Sequence, residues 1–261
     1  MMSKPALEIH DLTVAYRKKP VLWGIDLAVE PGALVGIIGP NGAGKSTLIK
    51  ACMGLLPLSS GWVEVFGQPL KKNLKRVGYI PQRESIDWDF PVTAYDVVLM
   101  GRYGHVGLFR WPSRSDKNLA LECLESVGMI QFAKRQISQL SGGQQQRVFL
   151  ARALAQQSDV YFMDEPFAGV DAATEESIIR LLRELRAAGK TVFVVHHDLS
   201  TADEYFDQIA LINQRLVAFG ETADVFTPDL IQKTYGGRLS IMAEVAEALK
   251  ADEGLAAVTK H

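Results

Sequence analysis

Cysteine is scarce in this sequence: Cys52 and Cys123 are the only two among 261 residues. Two isolated thiols exclude a disulfide framework and any metal site built on paired cysteines, and they point to a reduced, cytosolic setting. Long apolar runs are also missing. No stretch approaches the roughly 18 residues that a membrane-crossing helix needs, and the longest clean runs, such as Val192–Val195, have strand length. If the protein works at a membrane, another chain must cross it. Met1 to Asp11 carries Lys4, Pro5, Glu8 and Asp11 with no apolar centre, so it does not read as a secretory leader. A surplus of one charge is absent as well. With 28 basic against 30 acidic residues, the net charge of -2 offers no global field for nucleic acid or an anionic membrane. There is no internal repeat and no low-complexity segment. What remains is an ordinary globular composition, long enough to bury a core without covalent staples.

Hydrophobic periodicity fills in the rest. Val21, Trp23, Ile25, Leu27 and Val29 alternate with their neighbours, which predicts a half-buried strand; Leu7 and Ile9 alternate before it. After the Pro31-Gly32 turn, Leu34–Ile38 is a short apolar run that ends at Gly39, and a helix is expected from Ser46 to Leu56, stopped by Pro57. Further short runs are Val77–Ile80, Val160–Met163, Val192–Val195 and Ile209–Ile212. Ile178, Leu181, Leu182 and Leu185 have helical spacing, with Gly189 placed to end that helix. Strands alternating with helices imply an α/β fold: a mainly parallel sheet with helices on both faces, beside an antiparallel portion near the N-terminus. Residues from about 84 to 157 read instead as a helical subdomain inserted into that core. From Arg238 onward, Ile241, Val245 and Leu249 suit a short amphipathic helix in a tail spanning 238–261.

Three motifs carry chemistry. Gly39-Pro40-Asn41-Gly42-Ala43-Gly44-Lys45-Ser46-Thr47 fits G-x-x-x-x-G-K-[ST], with a strand before it and a helix after it. The glycines let backbone N–H groups converge on phosphate oxygens, and the helix N-terminus adds partial positive charge. Lys45 can reach the β- and γ-phosphates, and the Ser46 hydroxyl can ligate Mg²⁺. This defines a P-loop NTPase core that binds ATP. Asp164 and Glu165 end the apolar Val160–Met163 run. Downstream of a P-loop, Asp164 fits a Mg²⁺ ligand and Glu165 a general base or water-orienting group; alone, the pair would read as a solvated strand end. Leu140-Ser141-Gly142-Gly143-Gln144 opens a second helix. It is either a second phosphate site at a helix N-terminus or a plain cap with Ser141 at its head.

With these motifs in this order, the chain resembles the ATPase subunit of ABC transporters from about Leu7 to Gly237, so that 1–237 is expected to form the ATPase domain. The resemblance implies further roles. Tyr16 would stack on adenine. Gln82 would sense γ-phosphate and Mg²⁺ and link to the membrane subunit. His197 would contact γ-phosphate, while the adjacent His196 is expected to be structural. Asp171 would couple two opposed subunits. A second copy of the chain would complete each site by bringing Ser141, Gly142, Gly143 and Gln144 onto the ATP held by the first, in a dimer with two composite sites. Closing and opening of that dimer would drive integral membrane permease subunits, with the chain peripheral on the cytoplasmic face of the inner membrane.

A finer resemblance rests on Asp87-Trp88-Asp89-Phe90-Pro91-Val92, Met100-Gly101-Arg102-Tyr103-Gly104-His105, Trp111-Pro112 and Glu165-Pro166-Phe167-Ala168-Gly169-Val170-Asp171. It is similar to the importer branch for manganese, zinc or ferrous iron, closest to the manganese and zinc members, which implies an extracytoplasmic metal-binding protein as an indirect partner. His105 reads as an exposed loop histidine, not a ligand for the transported ion. Arg102, Tyr103, Phe109 and Trp111 are expected to form an exposed basic and aromatic surface on which a permease docks, the alternative being local packing of the insert. Competing readings are an iron-chelate or cobalamin importer, and a soluble ABC-type ATPase of DNA repair or translation. The latter lacks support from a heptad run, a second P-loop or a basic stripe. A P-loop kinase leaves Leu140–Gln144 without a role.

Overall fold

The computed structural model describes residues 4–17, 19–82, 91–107 and 110–236. The expected tail helix, Asp87–Phe90 and Phe109 lie outside them. In the first sheet, β1 (Leu7–Tyr16) pairs antiparallel with β2 (Lys19–Val29) on one side and β4 (Ser60–Val65) on the other, and β4 carries the two-residue β5 (Gln68–Pro69). The second sheet contains β3 (Leu34–Ile38), β6 (Val77–Ile80), β7 (Val160–Asp164), β8 (Thr191–His196), β9 (Gln208–Asn213) and β10 (Arg215–Glu221). Its order is β10-β9-β3-β8-β7-β6; every pairing is parallel except that of β10 with β9. The mainly parallel sheet with an antiparallel portion is therefore present as expected.

The central strands β3, β7 and β8 are buried throughout and mainly apolar because both faces of their sheet are covered. In β7, Val160 and Phe162 join the core beneath the first sheet, while Tyr161 and Met163 join the core on the opposite face. β8 divides in the same way: Phe193 and Val195 go one way, Val192 and Val194 the other. The first core is completed by α1 (Lys45–Cys52), through Leu48 and Ile49, and by α2 (Leu70–Asn73), through Leu70. Between β6 and β7 come α3 (Ala94–Met100), α4 (Tyr103–Val106), α5 (Arg114–Ser126) and α6 (Gly142–Ala155); α3, α5 and α6 pack on one another. After β7 follow α7 (Ala172–Ala187), α8 (Ala202–Tyr205), α9 (Thr222–Val225) and α10 (Pro228–Tyr235). Thr93, Ser113 and Ser141 head α3, α5 and α6 with reciprocal capping boxes, each satisfying two otherwise orphaned N–H groups.

Three local expectations need correction. The helix after the P-loop stops at Cys52, not Leu56: Gly54 takes a left-handed φ of +65° that turns the chain out of the helix, and Leu55 is exposed. The alternation of β2 also breaks. Ile25, Leu27 and Val29 are buried as expected, but on the other side of Gly24 the phase inverts, so Leu22 is buried and Trp23 is exposed. Gly24 has φ +51°, and the β1–β2 register shifts between Leu12 and Val14, which is how a bulge turns one part of a strand over. Finally, Arg102 is not exposed. Its Nε donates to Asp116 Oδ1 at 2.9 Å, and its Nη1 donates to Ala155 O at 2.8 Å and Gln157 Oε1 at 3.0 Å. It pins the ends of α3, α5 and α6 together, leaving Tyr103 and Trp111 as the exposed members of the expected surface.

Candidate active site at the carboxyl ends of three neighbouring strands

Parallel register brings the motifs together. Ile38 of β3 lies beside His196 of β8, and Asp164 of β7 lies beside Val195. The chain therefore leaves β3, β7 and β8 at one level, where open α/β sheets bind ligands. The loop after β3 begins at Gly39, the one after β7 at Glu165, and the one after β8 at His197. They surround a cleft of about 530 Å³ lined by Val21, Asn41 through Thr47, Gln82, Glu165 and His197.

The glycine loop has specific steric demands. A Cβ on Gly39 would overlap the carbonyl oxygen of Ile212, and one on Gly44, at φ +97°, would lie 2.5 Å from Leu22 Cδ2. The phase inversion at Gly24 therefore does two things: it puts Leu22 under the loop and Val21 in the cleft wall. Lys45 is buried, its Nζ donating to Gly39 O at 2.7 Å and Pro40 O at 3.1 Å. Burial pulls its pKa below the ordinary lysine value, opposed by the carboxylates of Glu165 and Asp164.

Two hydrogen bonds organise the acidic side. The Ser46 hydroxyl donates to Asp164 Oδ1 at 2.9 Å, and Gln82 Nε2 donates to Glu165 Oε2 at 3.1 Å. Asp164 is buried, and its second oxygen, Oδ2, has no protein partner. Burial raises its pKa, with the Ser46 hydrogen bond pulling the other way and Glu165 adding to the rise. Glu165 adopts φ +52°, a left-handed backbone that a non-glycine residue holds only when its surroundings impose it. In β8, His196 is buried while His197 is exposed and lines the cleft, as alternation across the strand end predicts.

Other candidates lie elsewhere. Tyr16 is exposed at the end of β1 and is not part of the cleft lining. Ser141 and Gln144 bond each other reciprocally at the head of α6: Gln144 N donates to Ser141 Oγ at 3.3 Å, and Ser141 N donates to Gln144 Oε1 at 3.0 Å. Asp171 heads α7, accepting from Thr174 N at 2.9 Å and Thr174 Oγ1 at 3.1 Å, hydrogen bonds that lower its pKa. A Cβ on Gly143 would lie 3.5 Å from Thr174 Oγ1, so the starts of α6 and α7 abut each other, and neither lines this chain's cleft. Val21 is the cleft residue that sequence reading assigned only to strand packing; a glycine inside a strand was the available signal.

A glycine loop wrapped between strand and helix, with a carboxylate held against its serine from the end of β7, two strands away in the same sheet, defines a P-loop nucleotide-hydrolysing protein. The ABC transporter family model matches residues 22–168, more than half of the chain, and the chain belongs to that family. It binds and hydrolyses ATP accordingly. The manganese transport system ATP-binding protein MntB of Bacillus subtilis (strain 168) is 60% identical over 238 residues, covering 91% of this chain and 95% of that protein. The zinc transport system ATP-binding protein TroB of Treponema pallidum (strain Nichols) is 59% identical over 235 residues, 90% of this chain and 88% of that one. Among solved structures, a metal-chelate type ABC transporter in an inward-facing conformation superposes with a TM-score of 0.78 at 27% identity, over 88% of both chains. The cbiO1 protein of Clostridium perfringens, part of the ABC transporter complex cbiONQ, gives 0.74 at 26% identity, over 94% of this chain and 99% of that one. Among the described residues, no helix is long and apolar enough to cross a membrane, and no group of three or more His, Cys, Asp or Glu is arranged to hold a metal ion.

Proposed function

We propose that the chain is the ATP-hydrolysing subunit of an importer for a divalent metal ion, manganese first, with zinc or iron next. The observation that carries the ATPase part is the cleft itself, where Ser46–Asp164 and Gln82–Glu165 converge beside Lys45. The metal is supported by the two relatives near 60% identity, whose names give manganese and zinc.

In this reading the amides from Gly39 to Ser46 and the Lys45 ammonium hold the phosphates of ATP, with Thr47 beside them, and Tyr16 stacks on adenine. Mg²⁺ suits the acidic side: a buried carboxylate with one oxygen on a serine hydroxyl and the other unpartnered is a donor set for a hard cation. Ser46, Asp164 and Gln82 would hold it, and it would supply charge neutralisation on the phosphates. Glu165 accepts a proton from the attacking water, held in place by Gln82, as that oxygen bonds to the γ-phosphorus and the bond to the ADP oxygen breaks. His197, in the cleft lining, hydrogen-bonds the γ-phosphate.

The first turn of α6 is not part of this chain's cleft lining, which suits it to serve another. A second copy docked head to tail brings Ser141, Gly142, Gly143 and Gln144 to the first copy's ATP, and Asp171, against that turn, couples the two sites. ATP closes the pair and hydrolysis opens it. The helical subdomain of about 84–157 passes that motion to integral membrane permease subunits, supplied with ion by an extracytoplasmic binding protein. The chain then sits at the cytoplasmic face of the inner membrane and needs no nucleic acid.

The test is uptake of radiolabelled Mn²⁺, Zn²⁺ and iron chelates in cells lacking the chain and complemented with it. Restored Mn²⁺ uptake, abolished by Lys45→Ala, is the expected result. Restoration of chelate uptake alone would replace the free ion with a complex, and no restored uptake of any of them would overturn the importer assignment.

A further inference from the structure

His196, beside the proposed γ-phosphate contact His197, is a thoroughly enclosed polar side chain at the edge of the cleft. It is 2% exposed. Its Nε2 shares a hydrogen bond with Thr201 Oγ1 at 3.0 Å. Phe167 presents an edge to its ring at 5.4 Å and Phe206 another at 5.5 Å, with Tyr205 at 5.9 Å. Packing alone does not require a histidine here, since a phenylalanine would fill an aromatic box without burying polar nitrogens. The ring is also kept neutral: burial first, then the neighbouring His197, push its pKa down to about 4.

The box lies where the three loops of the cleft meet. Ile38, the last strand residue before the phosphate loop, is the β-partner of His196. Phe167 stands two residues beyond Glu165, on the same turn, where Ala168 N donates to Glu165 O at 3.2 Å. Thr201 closes the turn that begins at His197. Two further bonds stiffen that turn: Asp198 Oδ1 accepts from Ser200 N at 2.8 Å and from Ser200 Oγ at 2.7 Å. The aromatic wall continues to Tyr205, at the end of α8.

We infer that His196 is a positioning residue for hydrolysis: its Thr201 bond fixes the turn that aims His197 into the cleft, and its contact with Phe167 ties that turn to the loop that carries Glu165. The geometry assigns each part a job. The hydrogen bond sets where the turn closes, and the ring faces set how far the Glu165 loop and the His197 loop stand apart. Both must be right for water and γ-phosphate to be held at once, so the effect falls on turnover rather than on nucleotide binding, which the glycine loop supplies. The inference rests on the proposed role of His197.

The experiment measures ATP hydrolysis and equilibrium ATP binding for the full-length chain and for His196→Phe, Thr201→Val and His196→Gln, each also in a His197→Ala background. The Phe and Val variants each remove the hydrogen bond, from opposite ends. Each is expected to lower kcat by about tenfold while the ATP Kd stays within about twofold. Gln places an amide nitrogen near the position of Nε2 but lacks the ring against Phe167, so it is expected to recover only part of the turnover lost in His196→Phe. In the His197→Ala background, the Phe and Val variants, which remove only the hydrogen bond, should not lower kcat further, because the residue being aimed is gone. Unchanged kcat in folded His196→Phe, or an equal loss with and without His197, would overturn the positioning role. A wild-type chain that does not hydrolyse ATP would instead defeat the parent reading, so the two failures are distinct.

Discussion

Arg102→Ala is expected to destabilise the protein by about 3 kcal/mol, because it breaks a largely buried ion pair and strips two further acceptors. The Arg102 and Asp116 side chains are only 11% and 15% exposed. Truncation leaves the Ala155 carbonyl and Gln157 Oε1 without the donor that reaches both. It also leaves Asp116 with only the Ser113 half of its partners. For a chain of this size, that loss corresponds to a fall in Tm of roughly 6–12 °C. Lysine should not rescue it, since one ammonium cannot reproduce a planar fork that serves three acceptors. Asp116 adds a pH signature. Its carboxyl is held down to about 2, first by the Ser113 hydrogen bond and then by Arg102. A depressed carboxylate stabilises the fold above its unfolded pKa, and that contribution is lost as pH falls from about 4 to about 2. Arg102→Ala should shrink this acid-labile part. Urea unfolding of wild type, Arg102→Ala, Asp116→Asn and the double variant closes a cycle with an expected coupling of about 1–2 kcal/mol. A loss below about 1 kcal/mol with no coupling would refute the pin and return Arg102 to the surface.

Gly39→Ala should abolish ATP binding or prevent folding, because the new methyl overlaps the Ile212 carbonyl oxygen of β9; isothermal titration and circular dichroism separate these outcomes, and normal binding would contradict the close approach. Thr93→Ala removes the capping box of α3 and should cost about 1 kcal/mol in urea unfolding, with ATP affinity unchanged. His196 supplies a second pH test. Its native pKa of about 4 lies below the unfolded value of 6.5, so the unfolded chain binds the extra proton, and stability falls as pH drops from about 6.5 towards 4. His196→Gln should flatten that slope relative to wild type; an unchanged slope would show that the ring titrates alike in the native and unfolded chains.

Much of the cleft was legible because its parts are contiguous. Gly39–Thr47 is one unbroken segment, and Asp164–Glu165 and His196–His197 each end an apolar run, so a parallel sheet inevitably raises them to one edge. What escaped depends on partners far away in sequence or on a change of phase. Arg102 has an exposed-looking neighbourhood of Gly, Tyr and His, yet its acceptors at Ala155 and Gln157 are 53 and 55 residues distant. Val21 and Leu22 exchanged faces because a bulge at Gly24 inverts an otherwise regular alternation. β10 was also missed, since its residues are mostly half-buried at a sheet edge and carry a weak period. His196 was recognised as facing away from the cleft, but its box is assembled from Phe167, Thr201, Tyr205 and Phe206, which no local pattern links to it.

The central claim is that Glu165, steadied by Gln82 beside the phosphate loop, activates water for ATP hydrolysis while other groups hold the nucleotide. The most direct measurement compares Mg²⁺-dependent ATP hydrolysis and ATP binding in wild type and Glu165→Gln at a protein concentration that favours paired chains. Turnover lower by about a hundredfold or more, with ATP still bound and the paired form more persistent, is the predicted result. Turnover within a few-fold of wild type in Glu165→Gln would contradict it.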